Sequence, residues 1–215
     1  LTAFVMHDLK NLIAQQSLMV KNAAKHKDNP AFFEDAMATI ENSVARMNKL
    51  LQQLQAGDSS GPARVVNLNA CVADAVRKCE GREPAPSVNI AGEELAAFVD
   101  GDRLTTVLAH LIRNAQDATA GKGLVTIKTG TAGAKVFVSV QDDGCGMEDE
   151  FVRHRLFRPF DTTKGSQGMG VGAYQAREFI LASGGQMQVD SQPGVGTTMT
   201  IQLPAPAPVA KQAVG

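Results

Sequence analysis

The chain has 215 residues, of which 44% are hydrophobic and 20% are charged, a balance that excludes a disordered, collagenous or purely coiled-coil protein. Its 21 Lys and Arg residues against 22 Asp and Glu residues give a net charge of −1, which argues against binding nucleic acid or an anionic membrane through bulk charge. No window of about 18 to 20 uninterrupted apolar residues is present. Because the chain opens on Leu1 in an already amphipathic pattern, we expect an upstream segment, and membrane attachment only through that segment.

The first 55 residues predict two antiparallel helices, each with an apolar heptad seam. The first seam contains Val5, Leu9, Leu12, Met19 and Ala23, and the second contains Phe33, Met37, Ile40, Val44, Met47, Leu51 and Leu54. Asn29 is a plausible N-cap between the helices, followed by Pro30 at the first helical position. Because Ile13 and Val20 widen the apolar stripe beyond what one partner helix covers, we expect two hairpins to form a four-helix bundle in a homodimer.

Residues 56–64 are small and polar and predict a linker, and the pattern then changes. Within 65–204 we expect helices at 67–80, 102–120 and 171–183, and strands at 87–90, 124–129, 135–141, 186–190 and 197–203. Adjacent strands mixed with helices indicate an α/β sandwich with helices on one face of a mostly antiparallel sheet, so the fold class is α+β. Residues 205–215 predict a disordered tail.

Three cysteines are present, and we expect all of them to be reduced thiols in a cytosolic setting. Cys71 and Cys79 are eight residues apart on a predicted helix, which places them about 12 Å apart and beyond disulfide reach. Cys145 lies in a glycine-rich loop.

His7 is the first candidate for chemistry. It lies about 200° around the first helix from Val5, on the predicted outer face, and Asn11 follows one turn later on that face. A neighbouring carboxylate such as Asp8 could fix the tautomer of the imidazole and leave its other nitrogen free to act as a nucleophile. A solvated surface histidine is the alternative interpretation.

The second block contains three further candidate groups. Asp142 ends a predicted strand before a glycine-rich turn, where its carboxylate could accept a hydrogen bond from an exocyclic amine such as that of adenine, although a simple β-turn fits equally well. Four glycines at the start of the last predicted helix could cradle phosphate, or form a flexible loop: Gly165, Gly168, Gly170 and Gly172. Asn114 could offer its amide oxygen to Mg²⁺ or cap the helix. Neither a P-loop nor a Rossmann glycine pattern is present.

Taken in order, these pieces resemble a bacterial sensor histidine kinase over about residues 1–204. The family's motifs are similar to His7–Asn11 (H box), Asn114–Ala118 (N box), Asp142–Gly146 (first glycine box), Leu156–Phe160 with 161–164 (F box), Gly168–Val171 (second glycine box) and the closing strands at 194–204. The H box and residues 40–48 look most like the kinases of exosortase and PEP-CTERM systems, a subgroup called PrsK. Many members carry Asn where this chain has His110, and leucines where it has Met169 and Val171.

The resemblance implies a Bergerat-type ATP-binding domain at 65–204, a phosphotransfer and dimerisation hairpin at 1–55, and ATP-dependent autophosphorylation with Mg²⁺. It implies that Asp142 reads the adenine amine, Asn114 holds Mg²⁺, and His7 attacks the γ-phosphorus. Asp8 would act as base and tautomer anchor, and Asn11 would orient water for dephosphorylation. The other implied nucleotide contacts are Asp117, Gly144, Gly146, Thr162, Thr163, Lys164, Gly168, Gly170 and Thr197.

The implied partner is the receiver domain of a response regulator, which would take the phosphoryl group on an aspartate. The implied location is cytoplasmic for this segment, with the parent protein anchored in the inner membrane. Two alternatives stay open: another ATPase or a serine kinase of the same superfamily, and a non-catalytic dimerisation and docking module with a vestigial nucleotide pocket.

Overall fold

The computed structural model of the chain describes residues 2–26, 29, 32–44, 47, 61–90, 94–159, 161 and 170–206. The chain divides into two compact units, Leu1–Ser60 and Gly61–Gly215. Residues 56–60 of the predicted linker at 56–64 and residues 207–215 of the predicted tail lie outside the described residues, and Arg64 already belongs to a strand.

In the described residues of the first unit there are two helices, α1 (Thr2–His26) and α2 (32–44). The predicted cap is confirmed, because the side-chain oxygen of Asn29 accepts a hydrogen bond from the backbone N–H of Phe32 at 3.4 Å. Leu12 of the predicted first seam is buried. The predicted end of the second seam, Leu51 and Leu54, lies outside the described residues.

In a single chain the apolar seam predicted for α2 is largely exposed, so its burial in a dimer stays a prediction. Four of its residues are exposed: Phe33, Met37, Ile40 and Val44. The least exposed side chains lie one residue earlier and include Thr39 and Ser43. Ser43 is buried and Thr39 is partly buried, and each hydroxyl donates to the backbone carbonyl four residues earlier, at 2.8 Å, which satisfies the polar group. The heptad pattern therefore predicts an apolar face of the helix, but it does not predict which other helix packs against that face.

The second unit contains seven strands and four helices in the part of the chain that the structure describes. In chain order these are β1 (Arg64–Asn67), α3 (Leu68–Arg77), β2 (Ser87–Asn89), β3 (Ala96–Val99), α4 (Gly101–Ala118), β4 (Val125–Ala132), β5 (Lys135–Asp142), α5 (Asp149–His154), α6 (Gly172–Ala182), β6 (Gln186–Gln192) and β7 (Gly196–Pro204). Five strands form one sheet in the order β2-β4-β5-β7-β6, in which only the β2–β4 pair is parallel. The predicted α+β class and the mostly antiparallel sheet are confirmed.

One face of this sheet carries the core. Ile127, Val140 and Met199 lie opposite one another on adjacent strands, and alternate residues along each strand join them. Helix α4 packs against β5, α3 and α6 with a row of buried apolar side chains on one side. These are Leu104, Val107, Leu108, Leu111 and Ile112, as the sequence predicts. Asp100 caps the helix by accepting hydrogen bonds from the backbone N–H groups of Asp102 and Arg103.

Three short elements escape the sequence prediction: β1, β3 and α5. Strands β1 and β3 form a separate antiparallel pair of four residues each, in which the exposed side chains of Val65 and Phe98 lie opposite each other. Helix α5 has six residues. Four to six residues are too few to establish a period of 2 or 3.6, so hydrophobic patterning cannot define such elements.

The cysteines are free thiols, as expected, but they differ in accessibility. Cys71 and Cys79 are 7% and 1% exposed, and burial raises the pKa of both thiols, whereas Cys145 is exposed. We therefore expect one rapidly reacting thiol in the folded protein and three after denaturation, measured with dithio-bis-nitrobenzoate. The Cys145→Ser variant should lose the rapid phase, and an undiminished rapid phase in that variant would contradict the assignment.

Candidate nucleotide-binding site

Asp142 is the last residue of β5 and is 8% exposed. Its Oδ1 atom accepts a hydrogen bond from the backbone N–H of Gly144 at 3.0 Å. An ionised carboxylate has two oxygens and about four acceptor positions, so the hydrogen bond from Gly144 is compatible with a further donor from a ligand at the same group. A buried carboxylate at a strand end is therefore suited to accept an N–H of a nucleobase.

A backbone hydrogen bond joins the glycine-rich loop after β5 to the end of α4. The backbone N–H of Cys145 donates to the carbonyl of Ala118 at 3.1 Å, and a side chain at Gly144 would overlap the same carbonyl. Gly146 has φ +63°, and a Cβ atom there would overlap the carbonyl oxygen of Gln192. Glycine is therefore required at both predicted positions, and the loop brings Asp142 close to the end of α4.

Two glycine variants separate the cost of a strained backbone φ angle from the cost of steric overlap between a new Cβ atom and its neighbours. Gly133 has φ +62° in the open β4–β5 turn, with no atom near a Cβ atom built there, so Gly133→Ala should cost only the φ term, about 1 kcal/mol. Gly146→Ala adds the overlap and should lower the free energy of unfolding by about 3 kcal/mol. Urea denaturation measures both values. Equal losses would show that the loop relaxes around the new methyl group.

Thr197 lies directly opposite Asp142 in the β5–β7 register. Its hydroxyl oxygen is 2.8 Å from that of Ser191, and Ser191 Oγ accepts a hydrogen bond from the backbone N–H of Met147 at 2.9 Å. Ser191 thus joins the far end of the glycine loop to the residue beside Asp142. The sequence reasoning missed Ser191, because only the β6–β7 register reveals its place beside Thr197.

Asn114 and Asp117 lie one turn apart near the end of α4. The side-chain amide nitrogen of Asn114 donates to His110 Nε2 at 3.0 Å. Asp117 forms an ion pair with Arg82, 2.8 Å between Nη2 and Oδ1, in which both side chains are more than a third exposed. Sequence reasoning also missed Arg82, which lies in an irregular loop 35 residues before its partner.

Gln116 holds that loop against α4. The Gln116 side chain is 2% exposed, and its amide nitrogen donates to the carbonyl oxygens of Arg82 at 3.0 Å and Pro84 at 3.2 Å. Gln116 and Asp117 are neighbours on α4, so the same helix turn binds both the backbone of the Arg82 loop and the Arg82 side chain.

Residues 162–169 lie outside the described residues, and with them the predicted phosphate contacts Thr162, Thr163, Lys164 and Gly168. The two flanking residues, Asp161 and Gly170, lie against each other, since a Cβ atom at Gly170 would overlap the carbonyl oxygen of Asp161. Gly170 has φ +63°, which suits glycine. Arg155 donates two hydrogen bonds to Asp161 and so lowers the pKa of that carboxyl.

His7, Asp8 and Asn11 lie on α1, in the other compact unit. Asn11 is exposed, and the side chains of His7 and Asp8 lie outside the described part of the structure. The outward orientation of the His7 imidazole therefore stays a prediction. No helix among the described residues is long and apolar enough to cross a membrane.

The amide oxygen of Asn114 is a type of ligand that Mg²⁺ accepts. Within the described ranges, no group of three or more His, Cys, Asp or Glu side chains could hold a metal ion. The amide nitrogen of Asn114 is engaged by His110, so the amide oxygen is the atom that this side chain can offer to a cation. Mg²⁺ is typically held by one or two protein oxygens together with phosphate oxygens and water.

A buried carboxylate beside a glycine loop that is hydrogen-bonded to the end of α4, on a sheet with helices on one face, is an arrangement suited to binding a nucleotide. A family model described as "Histidine kinase-, DNA gyrase B-, and HSP90-like ATPase" matches residues 99–207, just over half of the chain. The chain belongs to this ATPase family, and a domain of this type implies ATP binding.

The similarity to curated relatives extends beyond residues 99–207. The signal transduction histidine-protein kinase AtoS of Escherichia coli strain K12 is 29% identical over 213 residues, which is 95% of this chain and 34% of AtoS. The sensor histidine kinase ZraS of the same strain is 26% identical over 95% of this chain and 45% of ZraS. The sensor protein FixL of Bradyrhizobium diazoefficiens is 30% identical over 93% and 42%. The chain thus spans about a third to a half of these relatives.

Solved structures support the same fold. The catalytic domain of histidine kinase ThkA matches with a TM-score of 0.60 and 26% identity, over 67% of this chain and 97% of that domain. A crystal structure of ThkA in complex with response regulator protein TrrA matches with a TM-score of 0.63 and 23% identity, over 95% of this chain and 60% of that one. At this identity the second match carries the fold alone.

Proposed function

We propose that this chain is the kinase portion of a two-component sensor histidine kinase, which binds ATP in the unit Gly61–Gly215 and transfers its γ-phosphoryl group to His7. One observation carries most of the proposal: Asp142 is buried at the mouth of a glycine loop that hydrogen-bonds to the end of α4, the helix that carries Asn114. An acceptor for adenine and an amide oxygen for Mg²⁺ thus lie on adjoining elements. Relatives with histidine kinase names match 95% of the chain, so the similarity extends into the first unit.

In this proposal Asp142 accepts the exocyclic amine of adenine, and Thr197 lies beside it. Gly144 and Gly146 allow the backbone to approach the flat base. Asn114 directs its amide oxygen towards the triphosphate, where a bound Mg²⁺ would neutralise developing negative charge. Other proposed contacts to the nucleotide are Asp117, Thr162, Thr163, Lys164, Gly168 and Gly170.

The proposed reaction is an in-line displacement. A neutral imidazole nitrogen of His7 attacks the γ-phosphorus, the bond from that phosphorus to the bridging oxygen breaks, and ADP leaves with the electron pair. Asp8 takes the imidazole proton and holds the ring in the reactive tautomer. An ordinary histidine, with a pKa of about 6.5, is largely neutral at cytosolic pH. Asn11 orients a water molecule for the opposite activity, which is dephosphorylation of the response regulator.

We propose a homodimer through α1 and α2. In a single chain these helices expose apolar side chains that water disfavours, on α1 at Ile13, Leu18 and Val20 and on α2 at Phe33, Met37, Ile40 and Val44. Two hairpins that bring these stripes together would form the four-helix bundle that the sequence pattern favours.

The proposed acceptor of the phosphoryl group is an aspartate in the receiver domain of a response regulator. ThkA, which shares the fold, has been crystallised with response regulator TrrA, and this supports a partner of the same kind here. Membership of the PEP-CTERM-associated PrsK subgroup is the narrower proposal, based on the residues around His7 and on positions 40–48. A cytoplasmic location, with an inner-membrane anchor elsewhere in the parent protein, also stays a prediction.

Incubation with γ-labelled ATP and Mg²⁺ separates the candidate functions. A histidine kinase yields a protein label that is stable in base and lost in acid, because a P–N bond is acid-labile. An acid-stable label indicates a serine kinase of the same superfamily, and phosphate release without label indicates a plain ATPase. ATP binding with neither product, or no binding, indicates a docking module with a vestigial pocket. Each of the last three results contradicts the proposal.

A further inference from the structure

His110 and Asn114 lie one turn apart on α4, with His110 Nε2 3.0 Å from the side-chain nitrogen of Asn114. An amide nitrogen carries two hydrogens and no acceptor lone pair, so it is the donor in this pair. His110 Nε2 must then carry the lone pair, and the ring hydrogen resides on Nδ1.

The His110 ring has little room to move. Gly172 is the first residue of α6, and a Cβ atom at this position would overlap His110 Nε2. Glycine is needed here for space, because any other residue would push against the imidazole. A second contact between the same helices, Arg103 over the ring of Phe179 at 4.9 Å, holds α4 and α6 together independently of His110.

We propose that His110 is a positioning residue, which binds the amide nitrogen of Asn114 and thereby presents the amide oxygen to the cation that accompanies ATP. This inference rests on the proposed function, because it assigns His110 a task in the same site. The two ends of an amide differ in charge, and the wrong end would direct N–H hydrogens at a cation. A fixed acceptor at Nε2 therefore selects the useful orientation of Asn114 before the cation arrives.

His110 acts through Asn114 in this scheme and does not itself bind the cation. Its Nε2 lone pair is engaged by the Asn114 amide, and Mg²⁺ prefers oxygen ligands. Gly172 has the supporting task of leaving space for the ring. Gly172 directly follows residues 170 and 171 of the second glycine box. Its close approach to His110 therefore links that motif to Asn114 in the N box.

Calorimetry with ATP, in Mg²⁺ and in EDTA, tests the inference. His110→Leu fills a similar volume without an acceptor and should weaken binding about tenfold in Mg²⁺ and less than about twofold in EDTA. His110→Gln restores an acceptor near the Nε2 position and should bind within about twofold of the unsubstituted chain. The matched control is His154→Leu, since His154 is an exposed histidine in the last turn of α5. Gly172→Ala should reproduce the Mg²⁺-selective loss by displacing the ring, which keeps the test valid if His110→Leu fails to fold.

A double-mutant cycle separates positioning from direct metal binding. In an Asn114→Ala background, the His110→Leu change should have no further effect, whereas a tenfold effect that persists there would make His110 a ligand and overturn the inference. A loss that is equal in Mg²⁺ and EDTA would overturn it too. If the unsubstituted chain shows no Mg²⁺-dependent binding, the proposed function fails as well; normal binding with an unaffected His110→Leu variant overturns this inference alone.

A measurement on the nucleotide-free protein does not depend on activity. Nitrogen-15 spectra of the imidazoles should show His110 with an unprotonated Nε2 and a protonated Nδ1 at neutral pH, and Asn114→Ala should change that signal while leaving His154 unchanged. A His110 ring protonated at Nε2 would mean that the amide is turned the other way, and it would overturn the inference.

Discussion

Replacing Asp142 by Asn should weaken ATP binding at least about a hundredfold, the largest effect expected of any substitution in the second unit. The variant keeps the shape of the side chain but exchanges one acceptor oxygen for a donor nitrogen. That nitrogen would face the exocyclic amine of adenine, so a hydrogen bond is lost and two donors oppose each other at a position where the residue is only 8% exposed. Unmade hydrogen bonds to a buried charged group cost about 3 kcal/mol, which corresponds to roughly a hundredfold in the dissociation constant.

Calorimetry with ATP measures this loss, and the folded state is checked by thermal unfolding because Gly144 donates to the same carboxylate. Glu148→Gln is the matched control, because Glu148 is an exposed acid a few residues further along that makes no side-chain cap hydrogen bond to α5. GTP, which presents a carbonyl where ATP has the amine, should bind the unsubstituted chain at least about tenfold more weakly than ATP. Unchanged ATP affinity in Asp142→Asn would show that the base is recognised elsewhere.

Local motifs could be predicted from the sequence because each depends on neighbouring residues. Asp142, Gly144 and Gly146 are contiguous, and the strand pattern before them places the carboxylate at a strand end. The apolar side of α4 is likewise set by helical spacing and contains Leu104 through Ile112 as expected.

Contacts between distant segments could not be predicted in this way. Ser191 meets Thr197 through the β6–β7 register, and Arg82 reaches Asp117 across 35 residues, where no periodicity connects them. The sequence places His110 one turn before Asn114, but the close approach of its ring to Gly172 depends on how α4 and α6 pack. Such pairs are products of the tertiary fold and carry no signal in local composition.

The α2 helix shows why an apolar stripe does not by itself identify its partner. Phe33 and Met37 follow the predicted heptad, yet both are exposed in the single chain while Ser43 is buried. Periodicity reports which side chains avoid water, whereas the choice between an intramolecular and an intermolecular partner depends on the rest of the assembly.

Replacing His7 by Gln should reduce the acid-labile label from γ-labelled ATP at least about a hundredfold. An amide nitrogen has no lone pair available for attack on phosphorus, because that pair is delocalised into the carbonyl group. ATP binding should be unchanged, since Asp142 and the glycine loop belong to the other compact unit. Autoradiography after acid and base treatment measures the label, and calorimetry measures binding.

The His154→Gln variant is the control for His7→Gln, because His154 is an exposed histidine in the second unit. A label that survives in His7→Gln but disappears in His154→Gln would move the phosphoryl acceptor to the second unit and contradict the assignment.

Mixing His7→Gln with Asp142→Asn chains tests whether the phosphoryl group is transferred between the two protomers of a dimer. The first chain binds ATP but lacks the acceptor, and the second has the acceptor but lacks the adenine contact. If two chains pair through α1 and α2 and transfer occurs between protomers, the label should appear on the Asp142→Asn chain only. Transfer within one protomer would instead leave the mixture as unlabelled as either variant alone. Label on the His7→Gln chain would contradict both schemes, since that chain carries no nucleophile at position 7.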